Sequence, residues 1–430
     1  MADPLNIALA GLGTVGAGVV RLLADNGDLI ARRAGRAIRV VAVSARDRTR
    51  DRGIDLSGID WVDDTAALAE HSGVDAVVEV VGGSDGPALA LARRTIAAGR
   101  SLVTANKAMI AHHGMDLAAA AEAGGVALKY EAAVAGGIPV IKGLREGAAA
   151  NRFAHVYGIL NGTCNHILSV MEKEGRSFAD VLAEAQALGY AEADPAFDID
   201  GVDAAHKLAI LASLAFGTAI DFDAIETVGV RHVVEADIAE AAALGFRIRL
   251  VGVAGMDAGG LFQRVHPHLV PHDHPLAHVS GSLNAVVAQG DAVGRLFFEG
   301  RGAGAGPTAS AVVADLIDLA RGASGPVLSM PAETLERAAV ADAGAREGRA
   351  YLRFAVADRP GVLAEIAAAM RDAGVSIESL IQRGTMPDGS VVVAMVTHRG
   401  REACVTDALG RLRGSASLTG QPMWMPILED

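Results

Sequence analysis

Short apolar runs alternate with amphipathic stretches through the first third of the chain. The first run, residues 6–10, leads directly into Gly11-Leu12-Gly13-Thr14-Val15-Gly16, and a helical pattern follows at once. Four further runs of strand length are separated by helical patterns or turns, at 38–44, 76–81, 101–104 and 126–130. Strands that alternate with helices predict an α/β fold, here an N-terminal Rossmann-type doubly wound sheet that binds ligands at the carboxyl ends of its strands.

The pattern changes after about residue 131. Helical stretches at 178–188 and 202–216 mix with β-like runs at 248–253 and 261–265, which predicts an α+β domain. A strong amphipathic helix is expected after the glycine-rich turn near residue 304.

Four parts are therefore expected. They are a nucleotide-binding domain at 1–131 (completed by a helix at about 303–321), a catalytic and dimerisation domain at 132–302, a flexible linker at 322–347 and a compact βαβ-type module at 348–430.

Composition and charge narrow the function classes. The net charge of −13 argues against binding to nucleic acid or to an anionic membrane surface. The two cysteines, Cys164 and Cys404, lie far apart in the sequence and imply no disulfide framework. We find neither a signal peptide nor an apolar run of about 18 residues, so we expect a cytoplasmic protein.

The glycine motif predicts a dinucleotide site. Gly11 permits a tight turn, Gly13 lets the backbone approach a pyrophosphate, and Gly16 lets helix pack on strand. The helix N-terminus would offer free N–H groups to the phosphates. A glycine-rich turn without a ligand is the alternative, and the strand–turn–helix context disfavours it.

The end of the second apolar run bears on the choice of cofactor. NAD-binding domains usually place an acidic residue there, whereas this run ends at Arg46, with Arg48 and Arg50 following. Guanidinium groups suit a 2′-phosphate, which favours NADP(H), with NAD(H) still possible. The alternative is that these arginines belong to a solvated loop.

Two lysines are candidates for chemistry. Lys107 follows a strand of the nucleotide-binding domain, where a group that contacts cofactor or substrate belongs, although a surface lysine is the alternative. Lys207 lies four residues after Asp203, on one face of a helix that continues as an apolar run. A desolvated lysine has a lowered pKa and can act as a general acid or base, with Asp203 orienting it. A solvated, salt-bridged helix start is the alternative.

A cluster of histidines invites a metal hypothesis. Five histidines fall between His266 and His278, but prolines at 267, 271 and 275 predict a loop without fixed ligand geometry. A zinc site is therefore disfavoured.

Six segments resemble, in order, those of homoserine dehydrogenases. They are GLGTVG at 11–16, TANK at 104–107, YEAAVAGGIP at 130–139, GILNGTCNHIL at 158–168, GYAEADPAFDIDGVDAAHKLAIL at 189–211 and GRGAGAGPTASAVVADL at 300–316. The resemblance implies NADP-linked interconversion of L-homoserine and L-aspartate 4-semialdehyde, in threonine, methionine and isoleucine biosynthesis. Cys164 stands where the family often has a small residue, and we expect it to be a packing residue.

The resemblance and the motifs together predict four sets of residues. The catalytic set is Lys207, Lys107 and Asp203, and the substrate set is Glu192 (nearest the amino group), Asp198, Thr163, Tyr190 and Lys207. The cofactor set is Gly11, Gly13, Thr14, Val15, Gly16, Arg46, Arg48, Gly82, Lys107 and Gly306. The family's sodium site corresponds to the backbone carbonyls of Glu131, Val134, Gly136 and Ile138.

The C-terminal module resembles an ACT domain. Residues 354–363 have the strand–turn–helix opening typical of such domains, which implies an amino-acid site at Asp358, Gly361 and Val362. Homoserine dehydrogenases with this module are often inhibited by threonine, so threonine is the expected effector. A module that only mediates association is the alternative, and we expect a homodimer or homotetramer.

Two other functions remain open. One is a non-catalytic amino-acid sensor, which the joint presence of Lys107, Glu192, Asp203 and Lys207 disfavours because a sensor needs no proton-transfer lysine. The other is an NADP-linked oxidoreductase that acts on a different amino-acid semialdehyde.

Overall fold

A computed structural model describes residues 2–323, 325–385 and 390–429. The N-terminal strands form a parallel sheet in the order β3-β2-β1-β4-β5-β6, the order of a doubly wound dinucleotide-binding fold. These strands are β1 (Leu5–Ala10), β2 (Ile38–Ser44), β3 (Asp60–Trp61), β4 (Ala76–Glu79), β5 (Ser101–Thr104) and β6 (Leu128–Lys129). The helices among them are α1 (Thr14–Asp25), α2 (Gly27–Ala34), α3 (Pro87–Ala97) and α4 (Lys107–Ala123).

The second domain is built on a mixed sheet in the order β12-β11-β7-β9-β10-β8. Its strands are β7 (Phe153–Ile159), β8 (Glu226–Thr227), β9 (Phe246–Asp257), β10 (Gly260–Pro271), β11 (Leu283–Gly290) and β12 (Gly294–Arg301). The helices in this part of the chain are α5 (Val140–Lys142), α6 (Gly162–Glu174), α7 (Phe178–Ala187), α8 (Ala196–Ile199), α9 (Val202–Phe216), α10 (Glu235–Ala243) and α11 (Ala305–Ala320).

Helix α11 returns to the nucleotide-binding domain and packs against α1. A Cβ on Gly18 would lie 2.8 Å from the carbonyl oxygen of Ala305, so the two helices meet through backbone. Val312 and Leu316 of α11 are fully buried in the same core as the strands of the parallel sheet.

The C-terminal domain is an antiparallel sheet in the order β15-β16-β14-β18 with two helices, so it continues beyond a single βαβ unit. Its elements are β14 (Ala350–Ala357), α12 (Val362–Asp372), β15 (Ile377–Thr385), β16 (Ser390–Thr397), α13 (Glu402–Leu412) and β18 (Met423–Pro426). A two-residue ladder joins β13 (Glu347–Gly348) to β17 (Gly400–Arg401).

Residues 325–347 pack on the rest of the molecule, which corrects the expectation of a flexible linker. The Glu122 carboxylate accepts hydrogen bonds from the backbone N–H groups of Val327 (2.9 Å) and Ala332 (2.8 Å). Val340 then bridges to Leu261 at the edge of β10. Composition alone missed this because the apolar residues that anchor the segment are scattered and follow no period.

The chain beyond β18 also returns to the second domain. The N–H of Leu428 donates to the carbonyl of Leu269 on β10 (2.8 Å). The Leu428 side chain is buried with Val251 and Val270. The C-terminal domain therefore contributes directly to the core of the second domain.

The histidine segment, expected as loop, is strand only in its first part: residues 266–271 belong to β10, whereas residues 272–278 form a turn and a short 3-10 helix. His266, Pro267 and His268 lie in β10, and Pro267 falls between the residues of β10 that pair with β8 and with Ile427. Proline is accepted there because no ladder hydrogen bond is required of it on that side. In the described part of the chain, no three His, Cys, Asp or Glu side chains are grouped as metal ligands, and no helix is long and apolar enough to cross a membrane.

Candidate active site

A cavity of about 910 Å³ lies at the carboxyl edge of the parallel sheet, where the first two domains meet. Its walls come from the turns after β1, β4 and β5, the N-terminal ends of α6 and α9, and the segment 301–304. Of the predicted site residues, this cavity is lined by Thr14, Val15, Gly82, Lys107, Gly136, Thr163, Tyr190, Asp198, Asp203 and Lys207.

Two lysines share one carboxylate in this cavity. The Lys207 ammonium donates to Asp203 Oδ2 (2.7 Å) and to the Leu160 carbonyl (2.7 Å). The Lys107 ammonium lies 3.1 Å from Asp203 Oδ1. The side chain of Lys107 is 32 % exposed and that of Lys207 only 10 %, so Lys107 is the more accessible to a ligand.

Burial sets the ionisation of this group. Desolvation lowers the pKa of Lys207 from its ordinary value, and the positive charge of Lys107 adds to that effect, while Asp203 opposes it. Burial disfavours the charged form of Asp203 as well, but the two ammonium groups outweigh it and hold its pKa well below the usual range. The arrangement keeps one carboxylate ionised between two lysines and makes Lys207 easier to deprotonate.

A second carboxylate stands beside the first. Asn161 Nδ2 donates both to Asp198 Oδ1 (2.8 Å) and to Asp203 Oδ2 (2.8 Å), and Thr163 Oγ1 donates to Asp198 Oδ2 (3.2 Å). Burial, followed by the charge of Asp203, raises the pKa of Asp198. An incoming cation would relieve that repulsion.

Asn161 was not among the predicted site residues, although it lies in one of the quoted motifs. Its Oδ1 caps α6 by accepting from the Cys164 N–H (2.7 Å), which leaves its Nδ2 to bridge the two carboxylates. The sequence signal for the cap was an Asn directly before Gly162. The Cys164 thiol is buried, and burial raises its pKa well above the ordinary value, as expected of a packing residue.

A buried network fixes the turn that carries Lys107. Glu79, at the end of β4, accepts from the Val81 N–H (2.7 Å) and from Thr104 Oγ1 (2.5 Å). Thr104 Oγ1 in turn accepts from the Asn106 N–H (3.0 Å), and Asn106 Oδ1 caps α4. Glu79 was also missed, because a single acidic residue at a strand end carries no distinguishing pattern.

The two remaining substrate candidates lie in different surroundings. Tyr190 lines the cavity, is half exposed and stacks on His166 with 4.6 Å between ring centroids. Glu192 is exposed and does not line the cavity; its carbonyl accepts from Gln186 Nε2.

The glycine turn has the shape expected of a phosphate cradle. Gly11 has φ 96°, and a Cβ there would lie 2.7 Å from the Val80 carbonyl. A Cβ on Gly16 would lie 1.9 Å from the Gly11 carbonyl, whereas the space around Gly13 is open. No side chain caps α1, and its first turn holds no acidic residue, so its N-terminal N–H groups face the cavity mouth without a competing anion. Gly306, in the first turn of α11, does not line the cavity.

The arginines after β2 lie on the surface. Arg46 and Arg48 are exposed, and neither lines the cavity. Arg48 lies 5.8 Å from the centre of the Trp61 ring, as does Arg52, whose Nε donates to the Leu12 carbonyl within the glycine motif (3.0 Å). Arg52 therefore contacts the glycine motif directly, although it was not among the predicted cofactor residues.

The turn expected to bind sodium is buried. Glu131, Val134 and Ile138 are almost inaccessible, and Ala135 (φ 56°) and Gly136 (φ 54°) turn the chain through the left-handed region. The Glu131 carboxylate accepts from the backbone N–H groups at the start of α5, and burial raises its pKa to about 7.

The predicted regulatory turn lies far along the chain, at the opening of the C-terminal domain. Asp358 is exposed, Gly361 (φ 96°) is the N-cap residue of α12, and Val362, its first residue, is buried. The turn therefore presents backbone N–H groups to solvent at a helix N-terminus.

Known proteins resemble this chain over almost its whole length. The profile of the homoserine dehydrogenase family matches residues 139–317, that of the homoserine dehydrogenase NAD-binding domain matches 11–131, and that of the ACT domain matches 350–413. A homoserine dehydrogenase of Pseudomonas aeruginosa is 46% identical over 424 residues, which is 97% of either chain.

Solved structures that resemble this chain are also homoserine dehydrogenases. A homoserine dehydrogenase from Thiobacillus denitrificans superimposes with a TM-score of 0.93 at 41% identity over 99% of both chains. A hyperthermophilic archaeal homoserine dehydrogenase in complex with NADPH has a TM-score of 0.65 at 25% identity, and it matches 75% of this chain and all of its own. With the paired lysines on one buried aspartate, the glycine cradle and the C-terminal module, these matches show that the chain belongs to the homoserine dehydrogenases with a C-terminal ACT domain, which are oxidoreductases.

Proposed function

We propose that Lys207 accepts the hydroxyl proton of L-homoserine and that Lys107 hydrogen-bonds the reacting oxygen. The observation that carries this proposal is the pair of ammonium groups on the single carboxylate of Asp203, at 2.7 and 3.1 Å. Alcohol oxidation removes a hydride and a proton; a bound nicotinamide takes the hydride, so the protein must take the proton. Burial that lowers the pKa of Lys207 suits it to that task.

Asp198 binds the substrate ammonium in this proposal. It lines the cavity, and its pKa is raised by burial and by Asp203, so a cation beside it would be favourable. Glu192, which the family pattern suggested for this role, is exposed and does not line the cavity. Thr163 and Tyr190 would then orient the rest of the amino acid.

The cofactor is NADP(H), with NAD(H) as a weaker substitute. The open space at Gly13 and the uncapped start of α1 fit a pyrophosphate. Arg46, Arg48 and Arg52 follow β2, and the residues that end this strand, Val43 and Ser44, are not acidic. The archaeal relative in complex with NADPH supports this assignment.

A sodium ion at the Glu131–Ile138 turn would be structural. Backbone carbonyls are hard ligands of the kind that such cations take, and consecutive left-handed residues at 135 and 136 can turn several of them toward one point. No step of the reaction passes through this ion. Exchange of sodium for lithium should lower thermal stability without altering the pH dependence of the rate.

L-Threonine inhibits the enzyme in this proposal, by placing its carboxylate on the N–H groups at Gly361. Threonine, methionine and isoleucine synthesis is the corresponding pathway. The protein assembles as a homodimer or homotetramer in this proposal, and the edge strand β12, which carries the exposed Phe297, is the surface to examine first. Light scattering coupled to gel filtration would give the assembly size.

One experiment tests the proposed activity and regulation. Initial rates are measured with L-homoserine and either NADP⁺ or NAD⁺, with and without threonine. We expect a higher kcat/KM with NADP⁺ and a loss of rate at millimolar threonine. Equal kcat/KM values for the two cofactors would contradict the NADP(H) assignment, and an unchanged rate with threonine would contradict the regulatory one.

A further inference from the structure

One stretch of the second domain touches both the ACT domain and the loop that carries Asp198. We call residues 226–237 the connecting segment. It begins at β8, contacts the C-terminal end of α8 and ends in the first turn of α10.

The first end of the connecting segment is held by an arginine that the ACT domain also binds. Arg264 of β10 is 3 % exposed, and its Nε donates to Glu226 Oε2 (2.9 Å). Its two terminal nitrogens donate to Glu402, the first residue of α13, at 3.0 and 2.7 Å. A buried bidentate contact of this kind fixes orientation as well as distance.

The other end is held directly by the first strand of the ACT domain. Arg353 Nε donates to Asp237 Oδ1 (2.6 Å), and the Tyr351 hydroxyl donates to the same oxygen (3.1 Å). Asp237 is fully buried and also caps α10 by accepting from the Val234 N–H (3.0 Å). A shift of β14 relative to the second domain would therefore break a buried ion pair or move Asp237 with it.

The middle of the connecting segment lies against the catalytic loop. The Val230 N–H donates to the Ile199 carbonyl (2.8 Å), and Arg231 is ion-paired with Asp200. Gly229 is in backbone contact there, since a Cβ on it would lie 2.1 Å from the Ile199 carbonyl. Ile199 and Asp200 immediately follow Asp198 and precede α9, which carries Asp203 and Lys207.

From this geometry we infer that the connecting segment positions the Asp198–Asp203 loop and transmits the state of the ACT domain to it. The inference rests on the proposed regulation by threonine and adds the route. An effector acts only through a difference in its affinity for two states of the protein. The two states here differ in how β14 and α13 hold the ends of the connecting segment, and hence in how Asp198 is presented to the substrate ammonium.

Three variants test the route. Asp237→Asn combined with Arg353→Met removes both charges of the buried pair, so that neither is left unpaired. Arg231→Gln breaks the exposed pair between the connecting segment and Asp200 without touching the core. Arg371→Gln is the matched control, since it breaks an exposed ion pair with Asp372 inside the ACT domain and away from the connecting segment. Thermal melting first establishes that each protein is folded.

The expected result has two parts. The threonine concentration for half-inhibition rises about tenfold or more in the double variant and in Arg231→Gln, and changes less than about twofold in the control. Without threonine, the double variant and Arg231→Gln raise KM for homoserine but not for NADP⁺, and amide exchange at residues 196–203 becomes faster.

These readouts separate the two hypotheses. If wild-type enzyme does not respond to threonine, the effector assignment fails, while KM and amide exchange still decide whether the connecting segment positions the loop. If both variants keep wild-type KM and exchange at 196–203, the positioning role is wrong. If wild type is inhibited and both variants keep its threonine response, the proposed route is wrong.

Discussion

Replacement of Asp203 by Asn should move the pH dependence of homoserine oxidation to lower pH. Oxidation needs a neutral proton acceptor, so kcat/KM rises with pH as Lys207 loses its proton. Burial already lowers the pKa of Lys207, and the carboxylate of Asp203 partly restores it by favouring the ammonium form. Asp203→Asn removes that restoring charge and leaves the repulsion from Lys107, so the pKa of Lys207 falls further.

The distance between the charges sets the size of the shift. At 2.7 Å, an ion pair is worth roughly 1.5 kcal/mol in a water-like dielectric and about 6 kcal/mol at an effective dielectric constant of about 20. Since about 1.4 kcal/mol corresponds to one pKa unit, the acid limb should move down by at least about one pH unit. The rate should also fall, because Asp203 holds both lysines in place.

The assay is kcat/KM for homoserine at saturating NADP⁺ across the pH range in which the wild-type rate rises. Asp194→Asn is the matched control, because Asp194 lies near the same loop but is exposed and contacts neither lysine. An acid limb that stays in place, or moves to higher pH, in Asp203→Asn would refute the assignment of that limb to Lys207.

Four further outcomes are expected. Lys207→Ala should lower kcat about 10²- to 10⁴-fold while NADPH titration gives a wild-type Kd; a kcat within a few-fold of wild type would exclude Lys207 as proton acceptor. Arg46→Ala should raise KM for NADP⁺ more than KM for NAD⁺ in initial-rate assays, whereas equal effects would show that Arg46 does not contact the 2′-phosphate. Gly361→Asp should abolish threonine inhibition with the basal rate intact, since it places a negative charge at the expected carboxylate position; undiminished inhibition would locate the effector elsewhere. Leu428→Ala, which empties a buried position, should destabilise the second domain by about 2–5 kcal/mol, and an unchanged Tm would mean that the tail does not hold there.

The parts of the fold that depend on residues close together in the sequence could be predicted. The glycine motif between β1 and α1 combines a fixed spacing of glycines with a flanking strand and helix pattern. This combination predicted the nucleotide-binding domain and its parallel sheet. Lys207 and Asp203 were found together because their spacing of four places them on one helix face. Lys107 was predicted from its position just after a strand of the nucleotide-binding domain, and the family motif at 104–107 contains it as well.

Other parts depend on contacts between residues far apart in sequence. Asn161 bridges Asp198 and Asp203 across 37 and 42 positions, and no local pattern announces such a bond. The sequence did not predict that His266, Pro267 and His268 lie in a strand. Pro267 is tolerated there because neither β8 nor Ile427 pairs with it, and the sequence alone cannot show where such an unpaired position falls. The packing of residues 325–347 depends on the hydrogen bonds to the partly buried Glu122, which composition cannot indicate.

The return of Leu428 to β10 has a consequence for how regulation can be lost by mutation. Residues 427 and 428 are translated after the whole ACT domain, yet they complete the edge and the core of the sheet that supports catalysis. A stop codon or frameshift within the ACT domain would therefore remove part of the core of the second domain together with the ACT domain itself. If threonine inhibits the enzyme as proposed, selection for resistance to threonine should yield missense substitutions in the ACT domain, with nonsense alleles recovered as auxotrophs.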